Sequence, residues 1–185
     1  MSRPPNPAAR AELLLRAAAW VLEHGLAELN LRPLAAGLGT SARMLLYHFG
    51  SKEQLIVEIL TIIAGQQQHL LASASLEGSD PEVRLEQLWA QVTSPRLIPF
   101  LRSLFEVELR AIDGDGLYRG FAQASLRAWL ELVRGSLETE DMAAANFVLS
   151  AFTGLLIDRF STGEVERTDA AFGALKNALR KGGLI

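Results

Sequence analysis

Apolar residues recur at three- and four-residue intervals along almost the whole chain, which is the pattern of amphipathic helices. Near the N-terminus, for example, Leu14, Ala17, Ala18 and Val21 mark one face of a first helix. No stretch shows the strict alternation of apolar and polar residues that indicates a half-buried strand. The pattern predicts an all-α fold of about nine helices.

Capping and turn residues divide the first fifty residues into three short helices. Asn30 is a favourable N-cap for the second helix, and Ser41 is one for the third. Gly25, Gly39 and Gly50 each follow an apolar stretch and predict helix ends. Three short helices with a glycine turn between the second and third predict a helix-turn-helix.

The rest of the chain is divided by similar signals. Ser51 and Gln54 fit a reciprocal capping box at the start of a longer fourth helix. A clear break at residues 78–81 follows, in which Asp80 caps a fifth helix that starts at Pro81. The last three helices are predicted over residues 121–137, 138–160 and 167–181.

The third helix carries chemistry that suits DNA. A helix that enters the major groove must expose hydrogen-bond donors and a cation. Such side chains surround the apolar positions Leu45, Leu46 and Phe49. The residues predicted from this pattern to contact bases or phosphates are Thr40, Ser41, Arg43, Tyr47 and His48, with Lys52 at the start of the next helix.

Residues 34–55, LAAGLGTSARMLLYHFGSKEQL, resemble the helix-turn-helix of the tetracycline-repressor (TetR) family of transcriptional regulators. The resemblance covers roughly residues 8–60. It implies a homodimer that binds a palindromic operator and a variable helical domain that binds a small-molecule effector. The family's usual tyrosine, a phosphate contact, aligns with Leu46, so that role is carried over to Tyr47. Met44 stands where a small polar residue is common and implies apolar base reading, and Arg32 completes the predicted DNA-binding set.

The net charge of the whole chain argues against binding to nucleic acid, whereas the charge of its N-terminal region argues for it. The 185 residues carry a formal net charge of −3, which is unfavourable for binding phosphates. Residues 1–52 nevertheless hold six basic against three acidic residues, whereas residues 53–185 hold 12 basic and 18 acidic ones. We therefore predict a DNA-binding domain over residues 1–52 and a ligand-binding and dimerisation domain over residues 53–185.

Aromatic and charged residues within the apolar stretches of the second domain are candidates for an effector pocket between helices. A buried charge must be paired or face a ligand, although ion pairs between helices or at the surface are the simpler explanation for Glu106 and for Asp158 taken singly. Aromatic residues at helical spacing are also often core residues. The predicted pocket residues are Trp89, Phe100, Phe105, Glu106, Phe121, Trp129, Phe147 and Asp158.

The last two long helices are apolar on more than one face. A helix that is apolar all round must be buried on all sides, and in a chain this small a second copy is the simplest cover. Gly154 would allow close approach. The predicted interface residues of this homodimer are Phe152, Leu155, Leu156, Arg159, Phe172, Leu175 and Leu179.

The sequence favours a cytoplasmic, ligand-responsive regulator, most simply a repressor. No catalytic motif, metal-ligand cluster or cofactor fingerprint in a suitable context is present, and the chain contains no cysteine, so we expect neither an enzyme nor a cofactor. The longest purely apolar runs are far shorter than a bilayer span, so we expect no membrane association. The alternative is a helical small-molecule-binding or scaffold protein whose helix-turn-helix serves protein contacts.

Overall fold

The computed structural model describes residues 7–27, 29–73 and 80–185, and every regular element within them is a helix. The all-α prediction is thereby confirmed. The predicted break at Gly78 and Ser79 lies outside the described residues. The helices are α1 (Pro7–His24), α2 (Leu31–Gly37), α3 (Ala42–Phe49), α4 (Lys52–Ser73), α5 (Pro81–Val92), α6 (Ile98–Ile112), α7 (Gly116–Leu137), α8 (Met142–Thr162) and α9 (Val165–Lys181).

Most of the predicted helix ends are confirmed. The Ser41 hydroxyl accepts a hydrogen bond from the Met44 backbone N–H at 3.2 Å and caps α3. The Asp80 carboxylate accepts from the Glu82 N–H at 2.8 Å and caps α5. Asn30 occupies the N-cap position of α2, but its side chain accepts from Lys52 rather than from the helix backbone.

Three details of the predicted elements were wrong. The Ser51 hydroxyl caps α4, but the Gln54 amide donates to Glu58 at 3.3 Å instead of completing a capping box. α7 begins at Gly116 rather than at residue 121. α8 begins at Met142 rather than at residue 138, because Asp141 is its N-cap and accepts from two backbone N–H groups.

One compact unit comprises residues 1–73 and 95–125, so it contains α1–α4, α6 and the first part of α7. Its core joins the three N-terminal helices to the buried face of α4. The largest fully buried side chains include Val21, Leu26, Leu34, Leu45 and Ile59. The helix-turn-helix therefore shares a single core with α4, and Val107 of α6 belongs to the same core.

The second compact unit comprises residues 74–94 and 126–185. At its centre Trp89 stacks on Phe172 with ring centroids 4.8 Å apart, and it meets Phe152 edge-on at 5.6 Å. The Trp89 indole N–H donates to Asp169 at 2.9 Å, and Arg159 also binds that carboxylate, at 2.7 Å. This network connects α5 to α8 and α9, and its polar groups are paired with one another.

α8 differs from the other described helices because it is apolar on nearly every side. An 18-residue window of this 21-residue helix reaches a mean hydropathy of 1.2, enough by length and composition alone to cross a membrane, and 28% of that window is buried within the chain. The core helices of soluble proteins pass the same test. A large apolar share of α8 is therefore uncovered in a single chain.

Candidate nucleic-acid interface

The turn between α2 and α3 has the geometry that a helix-turn-helix requires. Gly39 adopts φ +65°, a left-handed conformation that glycine reaches without steric cost. The Thr40 N–H closes the turn on the Ala35 carbonyl at 2.9 Å. Leu45 and Phe49 anchor α3 in the core with 0% and 3% of their surface exposed. The opposite side of α3 is consequently turned outward.

That outward side mixes a cation with aliphatic and aromatic side chains. Arg43 is exposed, and Met44, Leu46 and Tyr47 expose 41%, 39% and 40% of their surface. Leu46 was not among the predicted contacts, although its position carried the signal. A helix that buries Leu45 and Phe49 turns both Leu46 and Arg43 toward solvent.

The other predicted DNA-binding residues have different surroundings. Ser41 is exposed at the N-cap of α3, Thr40 is half-buried in the turn, and Arg32 is exposed on α2. His48 is half-buried, and its Nδ1 atom is buried without a hydrogen-bond partner among the described residues. The Lys52 ammonium donates to Asn30 at 2.9 Å, so it is partly engaged within the chain.

Two further arginines near the helix-turn-helix stabilise the domain itself. The Arg10 guanidinium donates to the His48 carbonyl at 2.9 Å and forms an ion pair with Glu58 at 2.7 Å. Arg16 donates to the Leu38 carbonyl at 2.6 Å. Among the described basic residues up to position 52, Arg32 and Arg43 are thus the two whose side chains make no hydrogen bond or ion pair.

Gly37 has a structural role that follows from its neighbour on α1. A Cβ atom at this position would lie 2.2 Å from Nε1 of Trp20, far inside contact distance. The same indole stacks on His24 with ring centroids 4.3 Å apart. The His24 Nδ1 atom lies 2.9 Å from the Trp20 carbonyl, so this histidine serves the end of α1. α1 and α2 can therefore approach closely only because residue 37 is glycine.

The predicted pocket residues are divided between the two compact units. Phe100, Phe105, Glu106 and Phe121 belong to the first unit, and Trp89, Trp129, Phe147 and Asp158 belong to the second. The first unit contains an open, mostly apolar groove of about 600 Å³ between α1, α4 and the start of α6. Of the predicted set, this groove includes Phe100; its other lining residues are Leu15, Thr61, Ile62, Gly65, Gln66, His69 and Leu70.

Several predicted pocket side chains already have partners or face solvent. The Glu106 carboxylate accepts a hydrogen bond from the Leu26 backbone N–H, and Asp158 forms an ion pair with Arg167 at 2.6 Å. Both fit the alternative of structural pairing. Phe147 exposes 57% of its surface, whereas Trp89 is buried in the aromatic cluster of the second unit.

Four of the seven predicted dimer residues are buried within the single chain. Phe152, Leu156, Phe172 and Leu179 expose at most 6% of their surface in the single chain. Leu155, Arg159 and Leu175 are half-buried. The exposed face of α8 is instead a stripe with helical spacing, which we call the α8 stripe: Phe147, Ser150, Gly154 and Ile157.

Solved structures of low sequence identity share this fold. A TetR-family regulator from Cytophaga hutchinsonii has a TM-score of 0.78 at 14% identity, covering 94% of each chain. A regulator from Saccharomonospora viridis in complex with choline has a TM-score of 0.71 at 17% identity, covering 95% of this chain and 97% of that one. The multidrug binding protein EbrR, solved with imidazole, has a TM-score of 0.71 at 18% identity, covering 96% and 93%.

The fold and the exposed recognition helix define an all-α helix-turn-helix protein. A family model described as "Bacterial regulatory proteins, tetR family" matches residues 13–59, which span the helix-turn-helix and the first turns of α4. No curated protein sequence matches the chain. The match identifies residues 13–59 as a helix-turn-helix of the tetR-family type, and the chain as a whole shares the fold of the solved structures.

Proposed function

We propose that the protein is a repressor that binds a palindromic operator as a homodimer and is released by a small-molecule effector. The observation that carries the DNA-binding part is the outward face of α3. This face presents the unpaired Arg43 beside Met44 and Tyr47 while Leu45 and Phe49 fix the helix from behind. Arginine suits the acceptor edge of guanine, and an aliphatic side chain suits a thymine methyl group.

Residues 1–52 supply the DNA-binding domain in this proposal, and residues 53–185 supply the effector and dimer functions. The excess of basic residues in residues 1–52 is small, and this has a consequence for DNA binding. With Arg10, Arg16 and Lys52 engaged within the chain, few cations remain for phosphates. One domain alone would therefore bind DNA weakly, which favours two domains acting together on two half-sites.

The uncovered surfaces of α8 and α9 support the dimer. The α8 stripe exposes Phe147 and Ile157, at 57% and 48%, on either side of Ser150 and Gly154. On α9, the exposed alanines 170, 174 and 178 recur every four residues. Small residues between larger apolar ones let helices approach closely, so two copies can bury these faces in a four-helix interface.

Selection from random DNA tests the operator. The purified protein should enrich a sequence with inverted repeats about one helical turn apart, or a multiple of that. For that sequence, Arg43→Ala should raise the dissociation constant roughly 10- to 100-fold, because it removes a contact to a base edge or a phosphate. Tyr47→Ala should weaken binding as well. Affinity should fall steeply with salt concentration.

Arg119→Ala is the matched control, since Arg119 is exposed on α7 and its loss changes the net charge equally. Undiminished binding by Arg43→Ala and Tyr47→Ala would contradict the assigned interface. Failure to enrich any DNA would favour the alternative, in which the helix-turn-helix contacts protein.

Organic cations are the first effectors to test. The choline complex of the Saccharomonospora viridis regulator and the imidazole complex of EbrR concern compounds that are or become cations. In this chain the half-buried Glu108 on α6 makes no hydrogen bond or ion pair with any residue that the structure describes. Burial raises the pKa of this carboxyl, as expected for a carboxylate without a partner cation.

Titration calorimetry with choline, imidazole and proflavin, the last of which is also bound to EbrR in a solved structure, checks this part. Binding to wild type that Glu108→Gln weakens about tenfold or more would support a cation beside this carboxylate. The same compounds should weaken operator binding by wild type. Equal affinities for wild type and Glu108→Gln would remove Glu108 from the effector site.

A further inference from the structure

An arginine of α6 reaches the last turn of α1. The Arg102 guanidinium donates to the carbonyl oxygens of Leu22, at 2.6 Å, and of Glu23, at 3.1 Å. The carbonyls of a last helical turn have no partners within the helix and carry its partial negative charge. Arg102 therefore supplies a C-terminal cap from a segment about 80 residues away in sequence.

One turn further along α6, Glu106 holds the chain where it leaves α1. Its Oε2 atom accepts a hydrogen bond from the Leu26 N–H. Its Oε1 atom lies 2.9 Å from the place of a Cβ at Gly25, so a side chain there would push the carboxylate away. Gly25 also adopts φ +87°, which favours glycine independently. Glycine at position 25 therefore permits the close approach of the Glu106 carboxylate to the end of α1.

The two α6 side chains are matched in charge to the groups that they hold. The cation of Arg102 meets carbonyl oxygens, and the carboxylate of Glu106 meets an N–H group. The two lie 3.8 Å apart in an i,i+4 ion pair, which orients each of them. We call Arg102 and Glu106 the α6 clamp, and residues 25–27 the α1–α2 corner.

The corner leads directly into the helix-turn-helix. Leu26, whose N–H the clamp binds, is 2% exposed and packs in the same core as Leu34 of α2 and Leu45 of α3. A change in the position of the α1–α2 corner would therefore displace side chains in the core that supports α3. Cores of this density transmit displacements rather than absorbing them.

We propose that Arg102 and Glu106 are positioning residues through which α6 sets the orientation of the helix-turn-helix for DNA binding. This inference rests on the proposed DNA-binding function. The α6 clamp depends on which charge meets which backbone group: the cation of Arg102 binds the carbonyl oxygens, and the carboxylate of Glu106 binds the N–H group. An ordinary surface ion pair between the same two residues would work equally well with the charges exchanged.

The experiment compares clamp variants by amide hydrogen exchange and by affinity for the DNA that wild type selects, at a temperature well below unfolding. Arg102→Ala and Glu106→Ala should each weaken DNA binding about three- to tenfold. Glu106→Ala should speed exchange of the Leu26 amide about tenfold or more. Glu106→Gln keeps an acceptor oxygen for the Leu26 N–H and should recover part of both losses.

The exchanged double variant, Arg102→Glu with Glu106→Arg, separates the clamp from a surface ion pair. It preserves the pair but places a carboxylate on the α1 carbonyls, so it should bind DNA no better than the single variants. Arg110→Ala removes an exposed cation from the same helix and serves as the control, with wild-type exchange and affinity expected.

Every outcome of this experiment either supports or overturns the proposed role of the α6 clamp. Restored binding in the exchanged variant, or wild-type affinity in both alanine variants, overturns the clamp as a positioning device. Unchanged exchange at Leu26 in Glu106→Ala overturns the hydrogen bond itself. A wild-type protein that selects no DNA overturns the proposed function, and with it any role of the clamp in DNA binding. Loss of affinity with faster exchange at Leu26 supports the clamp.

Discussion

Two helices of this chain expose large side chains to a similar extent but with different chemistry. α3 exposes Met44 and Tyr47, at 41% and 40%, beside the unpaired cation of Arg43. α8 exposes Phe147 and Ile157, at 57% and 48%, beside serine and glycine. A charged, hydrogen-bonding surface suits a polyanion, whereas an apolar surface with small residues suits another helix.

The interiors behind these two surfaces explain the difference. α3 has one buried edge, formed by Leu45 and Phe49, and the exposed side chains of Arg43, Met44 and Leu46 lie outside it. α8 buries Val148, Phe152 and Leu156 on one side, yet its other side is apolar as well. The exposure of large side chains alone therefore does not identify the partner of a surface. The chemistry of the residues between those side chains identifies it.

The largest expected effect comes from placing a charge in the middle of the α8 stripe. No atom lies within 4 Å of a Cβ at Gly154, so Gly154→Arg fits the single chain. If two α8 helices pack here, the arginine would be buried without a partner, at a cost of several kcal/mol. We expect a monomer by light scattering after size-exclusion chromatography, and loss of cooperative operator binding.

Gly120→Arg is the matched control, because a Cβ at this α7 glycine also has nothing within 4 Å. It should leave the oligomeric state of wild type unchanged. A Gly154→Arg protein that remains dimeric at micromolar concentration would show that the α8 stripe is not the interface, and the apolar surface of α8 would need another cover.

Neighbouring leucines on α3 test the other surface. Leu45 is fully buried, so Leu45→Ala should lower the free energy of unfolding by about 2–5 kcal/mol. Leu46 exposes 39% of its surface, so Leu46→Ala should change stability by less than about 0.5 kcal/mol and should weaken operator binding instead. Denaturant unfolding and DNA titration measure the two quantities separately. Equal stability losses would mean that Leu46 belongs to the core.

Local periodicity predicted much of this pair of surfaces. The sequence grouped Leu45, Leu46 and Phe49 as the apolar positions of α3, of which Leu45 and Phe49 are buried and Leu46 is exposed. Ser41 and Asp80 indicated helix starts that the structure confirms. These features depend on residues within one or two helical turns, so a single sequence contains them. The proposed DNA contacts, pocket and dimer residues remain predictions.

Contacts between distant segments could not be predicted in the same way. The sequence alone left open whether Glu106 faced a ligand or a structural partner, and its partner is the Leu26 N–H, 80 residues away. Arg10 is one of the six basic residues counted in residues 1–52, and the structure shows that it binds Glu58 and the His48 carbonyl. A charge pattern shows that partners are needed, but packing decides which ones are met.

The smallest expected effect concerns pH, and it separates the ion-paired second unit from α3. Hydrogen bonds from Arg180, assisted by Lys176, hold the pKa of Glu82 below its ordinary value of 4.5. Since the folded-state pKa is lowered, this carboxylate stabilises the fold above pH 4.5, and the contribution is lost as pH falls through the lowered pKa. Thermal unfolding of wild type and Glu82→Gln should therefore differ at neutral pH and converge once the pH has fallen below the lowered pKa of Glu82. Because Arg180 is exposed and Glu82 and Lys176 are only half-buried, salt should shrink the difference at neutral pH. A difference that persists unchanged at acid pH would mean that Glu82→Gln acts through packing rather than charge. Arg43 has no carboxylate partner among the residues that the structure describes, so Arg43→Ala should leave the pH dependence of unfolding as in wild type.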